Sequence, residues 1–188
     1  QYVALLRDGE QVKMSKRAGE FVTMRDLMDE VGKDAARFFF LNRGLESHLD
    51  FDLDLAVEQS SENPVFYVQY AHARIASIFR QARKMGIALP AAADADLTLL
   101  KDEAEIALLK QLALLPREVE TAAFQREPHR IARYALDLAG LFHSFYNHCR
   151  ILNEEEQLRG ARLVLIQAVQ TVLKKVLDLL GVSAPEQM

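Results

Sequence analysis

The sequence predicts a mainly α-helical chain, a helical bundle preceded by a small mixed α/β segment that opens with a short β-hairpin. Three observations predict it. Beyond Asn63 the apolar residues recur every three or four positions, the period of a helix face. Period-two alternation and strand-forming residues are confined to the stretch before it, at Tyr2 to Leu6 and Leu49 to Leu55. Glycine and proline stand where these runs meet, at Gly32, Pro64, Gly86, Pro128 and Gly181.

Taken in order, Tyr2 to Leu6 (YVALL) reads as a strand, Asp8-Gly9 as a hairpin turn, and Gln11 to Met14 as the antiparallel return. Thr23 is an N-cap for a helix from Met24 to Val31, which Gly32 stops. A second helix, Lys33 to Asn42, buries Ala36, Phe39 and Phe40. Leu49 to Leu55 alternates apolar and acidic residues, as a strand with one buried and one solvated face does. Its three aspartates do not make a calcium loop. An EF-hand beginning at Asp50 needs glycine where Leu55 stands and glutamate where Ser61 stands.

Asn63-Pro64 supplies a cap and an N1 proline for a long helix to about Met85, ended by Gly86. Pro90 to Asp96 is an alanine-rich, acidic linker. Asp102 to Leu115 and Arg117 to Gln125 read as two helices broken by Pro116. Pro128 opens another helix, with an apolar seam of Ile131, Ala135, Leu138, Phe142, Phe145, Cys149 and Leu152. The last helix, Glu155 to Leu180, carries Leu158, Leu165, Val169, Val172, Val176 and Leu179, and Gly181 caps it. Four or five helices therefore form the bundle, with neither an internal repeat nor a heptad run.

The chain has 188 residues, half of them apolar, enough for one large domain or for a small one attached to a large one. No apolar stretch nears the roughly 20 residues that span a bilayer, and no leader is expected before the first element. The lone Cys149 excludes an internal disulfide framework and fits a reducing, cytoplasmic setting, although a single cysteine is also a common buried residue. A net charge of −4 argues against an extended nucleic-acid surface. The charge is uneven: residues 1–63 hold 8 Lys/Arg against 13 Asp/Glu, and residues 64–188 hold 15 against 14. If the second stretch grips RNA, it does so with a few placed groups.

Two stripes carry such groups. Tyr67, Tyr70 and Arg74 stand at i, i+3 and i+7 of one helix, and aromatic rings with a guanidinium suit unstacked bases. His143, Tyr146, Asn147 and Arg150 lie beside the apolar seam of another. Both stripes also fit amphipathic residues at the edge of a core. His143 and His148 are five apart, a poor spacing for sharing a metal ion.

Near the start, Lys13-Met14-Ser15-Lys16-Arg17 is a cationic loop between Gly9 and Gly19. Lysine ammonium groups at this spacing can stabilise negative charge on a departing pyrophosphate. A short basic run is also what a solvated surface looks like. The chain begins at Gln1-Tyr2 inside a strand pattern, so a fragment is expected.

The run KMSKRAGEFVTMRDLMDEVGKDAARFFFL, from Lys13 to Leu41, resembles the second signature loop of a class I aminoacyl-tRNA synthetase with the stem-contact segment behind it. HLDFDLDLA (His48 to Ala56), NPVFYVQYAHARI (Asn63 to Ile75), FYNHCRIL (Phe145 to Leu152) and LLGVSAPEQM (Leu179 to Met188) follow in the order and spacing of the bacterial-type arginyl-tRNA synthetases. The resemblance thus covers the whole chain. It implies arginine–tRNA ligase activity, in which ATP and arginine form arginyl-adenylate and the arginine passes to the 3′ end of tRNA.

It also implies a division into residues 1–62, the end of a catalytic domain with the KMSKR loop and stem-contact segment, and residues 63–188, a helical anticodon-binding domain. The implied roles are catalytic for Lys13 and Lys16, binding of ATP phosphates for Lys13, Ser15 and Lys16, and anticodon binding for Tyr67, Tyr70, Arg74, Tyr146 and Met188. ATP enters as substrate with magnesium, for which no protein ligands are present here. The implied partners are tRNA through its anticodon arm, and ATP and arginine in the full-length enzyme, with no membrane and a monomeric chain. This stretch alone lacks the nucleotide-binding fold and should not catalyse. A cysteinyl-type synthetase shares a similar lysine loop, but serine usually stands there where Arg17 stands here. A helical protein-interaction module without an RNA role is the other alternative.

Overall fold

The computed structural model describes residues 2–12 and 22–188. The lysine loop, with Lys13, Ser15 and Lys16, lies outside the described residues. The hairpin forms at the expected turn, but its return starts one residue before the expected Gln11–Met14: β1 (Val3–Arg7) and β2 (Glu10–Gln11) pair antiparallel, and Lys13 and Met14 lie outside the described residues. Asp8 and Gly9 turn between them with φ of 52° and 76°, the left-handed pair that a tight hairpin requires. On its other side β1 pairs in parallel with β3 (Leu49–Asp52), with Val3 against Leu49 and Leu6 against Asp52. Parallel pairing needs a crossover, and α1 (Met24–Leu41) provides it.

Helix α1 is capped at Thr23 by a reciprocal box with Asp26. Gly32, at φ 79°, kinks it where the sequence predicts a stop. Ala36 and Phe39 are buried and Phe40 packs against the core, joined by Phe38, which the sequence reading did not single out. Phe51 of β3 lies under the rings of Phe39 and Phe40, at 5.0 and 5.6 Å between centroids.

The strand expected to run from Leu49 to Leu55 stops at Asp52, and α2 (Leu53–Val57) begins there. The aspartates are the reason. Asp52 Oδ1 accepts from Leu55 N at 3.0 Å as a helix cap, and Asp54 Oδ2 takes the Asp8 amide of the hairpin turn at 2.6 Å. A cap that satisfies an otherwise orphaned amide outweighs continued alternation at a sheet edge.

Asn63 starts α3 (Pro64–Lys84), accepting from Val65 N while its own amide donates to the carbonyls of Ala56 and Glu58 at 3.1 and 2.8 Å. Helix α4 (Glu103–Gln125) is continuous, so the break expected at Pro116 does not occur. A proline removes one backbone bond and crowds one carbonyl. On this exposed turn water can take up the freed carbonyl, while Leu108 and Ala122 anchor the helix on either side.

Helices α5 (His129–His148) and α6 (Glu156–Leu180) complete the bundle. The expected seam of α5 is buried from Ile131 to Cys149, with Leu152 at its edge. In α6, Leu179 is exposed, and Leu173, Leu177 and Leu180 fill the face expected of it. The apolar core is continuous from Leu5 and Phe51 of the sheet to Leu177 of α6. No helix among the described residues is long and apolar enough to cross a membrane.

Gly181 ends α6 at φ 69°, and a Cβ there would stand 2.7 Å from Nε of Arg37, the group that donates to the Leu180 carbonyl. Gly181→Ala therefore combines left-handed strain with displacement of Arg37. The expected loss of stability is about 1–2 kcal/mol, read as a lower urea midpoint at unchanged slope.

Candidate nucleic-acid interface

The first stripe lies on the outer face of α3. Burying Val68, Ala71, Ile75 and Ile78 against the bundle turns Tyr70 and Arg74 toward solvent. Their partner comes from α5, where burial of Phe142 and Phe145 leaves Tyr146 at the edge. The Arg74 guanidinium lies between the two rings, its Cζ 4.5 Å from the Tyr70 centroid and 4.8 Å from that of Tyr146. Arg74 Nη2 also donates to the Tyr70 hydroxyl at 2.8 Å. Cation–π contact and hydrogen bonding thus hold the arginine in place. Exposures of 37% for Tyr70 and 41% for Tyr146 leave ring surface free for a further planar group.

A groove of about 520 Å³ opens beside them, lined also by Ser77, Arg80, Gln81 and Met188. Among the described residues it is lined by Arg74 and Arg80 and by no carboxylate side chain. The chain is acidic overall, yet this concavity is locally cationic, as suits a phosphate or a base edge.

Tyr67 is placed differently. It is half-buried and tilted over His143, ring centroids 4.7 Å apart, and burial raises its phenol pKa. It supports the groove from beneath instead of lining it. His143 in turn stacks on Tyr70 at 6.0 Å, and its Nε2 donates to the Tyr67 carbonyl at 3.4 Å. Burial holds the imidazole below its ordinary value; the hydrogen bond to Tyr67 opposes the fall and the charge of Arg74 adds to it. At neutral pH the ring is uncharged, with Nδ1 as an acceptor.

Four of the five residues that the resemblance implies for the anticodon, Tyr70, Arg74, Tyr146 and Met188, meet at one groove, and Tyr67 lies just behind it. Arg80 and Gln81 were missed, although they continue the same α3 face at helical spacing from Tyr70 through Ser77, a signal in plain view. Arg150 takes no part in the groove: its side chain is exposed, and its carbonyl accepts from Arg162 at 2.6 Å. Cys149 is buried, and burial pushes its thiol up to about 11. A thiol held so far above neutral pH is not a reactive group. Among the described residues no group of three or more His, Cys, Asp or Glu is placed to share a metal ion.

A family model described as the DALR anticodon binding domain matches residues 68–188. Among curated relatives, an arginine–tRNA ligase of Heliobacterium modesticaldum is 59% identical across all of this chain and 34% of its own length. The enzyme of the same name from Desulforamulus reducens is 58% identical with the same coverage. The chain thus spans about a third of the length of these relatives. Of solved structures, Thermus thermophilus arginyl-tRNA synthetase superposes with a TM-score of 0.75 at 30% identity, covering 100% of this chain and 34% of that one.

Proposed function

The chain belongs to the DALR anticodon binding domain family, and we propose that it is the tRNA-reading part of an arginine–tRNA ligase. One observation carries the reading: Arg74 held between Tyr70 and Tyr146 on the wall of a cationic groove. Stacked rings with a fixed guanidinium favour an unstacked loop base over a duplex. In this reading residues 63–188 bind the anticodon arm, and residues 1–62 link that arm to adenylate formation. Tyr70, Tyr146 and Met188 contact loop bases, Arg74 reaches a base edge or phosphate, and Tyr67 supports them.

Lys13 and Lys16, in the stretch outside the described residues, stabilise the phosphates of ATP as pyrophosphate leaves, and Ser15 orients them by hydrogen bonds. Magnesium accompanies ATP as counter-charge. Arginine and ATP bind in the full-length enzyme, which works in the cytoplasm as a monomer.

The test is binding of an arginine-tRNA anticodon stem-loop to the chain. Tyr70→Ala and Arg74→Ala should each weaken it by about 1–3 kcal/mol, the usual contribution of one stacked base. Arg74→Ala should also flatten the salt dependence. Unchanged affinity for both variants, or equal affinity for unrelated hairpins, would remove the reading.

A further inference from the structure

Beyond Gly181 the chain leaves α6 and runs back across α3 without regular structure. Side chains of α1 and α3 hold it at each step. Asp34 Oδ2 accepts from the Ser183 amide at 3.1 Å, from the Ser183 hydroxyl, and from Gln69 Nε2 at 3.0 Å. Gln69 Nε2 also donates to the Ser183 carbonyl at 3.0 Å. His72 Nδ1 lies 2.8 Å from the Pro185 carbonyl; that oxygen can only accept, so Nδ1 carries the proton. Arg80 Nη1 donates to the Glu186 carbonyl at 3.0 Å.

Two of these groups are unusual for where they sit. Among the described residues five polar or charged residues are buried: Asn63, Gln69, His72, Glu105 and Arg162. Asn63 caps a helix, and Glu105 pairs with Arg162. Gln69 and His72, at 8% and 3% exposure, aim at an irregular segment. Burying an amide and an imidazole is unfavourable unless their bonds are made. Here the bonds go to the carbonyls of Ser183 and Pro185, with Gln69 also reaching the Asp34 carboxylate.

Packing alone does not place that segment. Val182 is buried and Ala184 and Pro185 are half-buried, but Glu186, Gln187 and Met188 are exposed. Met188 and Tyr70 nonetheless line two neighbouring grooves, the cationic one and a larger, acidic one of about 940 Å³ that reaches Asp29, Glu30 and Glu58. They form the partition between the two.

We propose that Asp34, Gln69 and His72 are positioning residues that latch residues 183–185 onto α3 and thereby fix Met188 as a wall of the RNA groove. The latch rests on the anticodon reading for its purpose, though not for its existence. Without it Met188 moves off Tyr70, the partition opens, and the cationic groove merges with acidic surface that repels phosphate.

The experiment compares His72→Leu, His72→Asn and Asp34→Ala in the full 188-residue chain and in a chain ended after Val182. The readouts are amide exchange of Ser183, Ala184 and residues 186–188, and binding of the arginine-tRNA anticodon stem-loop. His72→Leu removes the donor, whereas His72→Asn places a side-chain amide N–H close to where Nδ1–H stood. Expected are faster exchange and about tenfold weaker binding for His72→Leu and Asp34→Ala, with His72→Asn within about threefold of the parent. None of the three should alter binding further in the shortened chain.

Unchanged exchange, or an equal loss of binding in full and shortened chains, overturns the latch. Asp34 is only partly buried, so Asp34→Ala carries the same test if His72→Leu does not fold. If the unaltered chain fails to bind the stem-loop, the anticodon reading falls, and amide exchange still decides the latch.

Discussion

Arg162→Met is expected to lower the unfolding free energy of the chain by about 3–5 kcal/mol, the range for breaking a buried ion pair from one side. Arg162 in α6 and Glu105 in the first turn of α4 meet at 2.6 Å, with exposures of 8% and 1%. The guanidinium also donates to the Arg150 carbonyl at 2.6 Å and to Glu154 at 3.1 Å. One cation therefore joins α4, α6 and the loop between α5 and α6. Methionine fills similar space but leaves Glu105 charged and buried, its other oxygen still tied to the Asp102 amide at 2.8 Å.

The same reasoning says what should recover the loss. Arg162→Met with Glu105→Gln removes the stranded charge and keeps the acceptor for Asp102, so the pair should cost less than Arg162→Met alone. Urea unfolding of both variants decides it. A loss under about 1 kcal/mol for Arg162→Met, or a double variant no more stable than the single one, contradicts an unscreened pair.

Phe142→Ala should cost a comparable amount, about 3–5 kcal/mol, for a different reason. Phe142 has no exposed surface. Its ring lies 5.6 Å from that of His143 and 6.2 Å from that of Tyr146, directly behind the groove. Truncation removes apolar burial and leaves a hole that the helices cannot close without moving α5. Phe142→Leu keeps most of the volume and should cost under about 1.5 kcal/mol. If thermal and urea unfolding place Phe142→Ala within about 2 kcal/mol of the parent, the site is less tightly packed than its burial implies.

Where local chemistry and helical period agreed, the sequence was a good guide. Thr23 and Asn63 cap the helices they were expected to cap, Gly32 turns the chain, and the seam from Ile131 to Cys149 is buried. It misled where one side chain had two uses. Asp52 reads as the solvated face of a strand until its carboxylate caps α2, and Pro116 reads as a breaker until the packing on both sides carries α4 through it.

The candidate groove was visible as two stripes, but not their meeting. That depends on how α3 and α5 cross, which no local pattern encodes. Tyr67 and Tyr70 stand one turn apart on the same stripe, yet Tyr67 packs against Gly140 and His143 of α5 while Tyr70 keeps an exposed ring. Gln69 and His72 gave no signal, since a polar residue within a helical face looks the same whether water or a distant carbonyl satisfies it.

The ties to Asp34 and Arg37 join residues 149 and 143 positions apart along the chain. Contacts of such separation must first overcome the entropy of closing a long loop, so they form late, once local helices already exist. The tie to Ser183 involves a segment with little buried surface, so it also opens early, below the free energy of global unfolding. A partly folded chain can thus present Tyr70, Arg74 and Tyr146 before the wall beside them is in place. In the proposed reading, discrimination among RNAs would then mature later than the capacity to bind them.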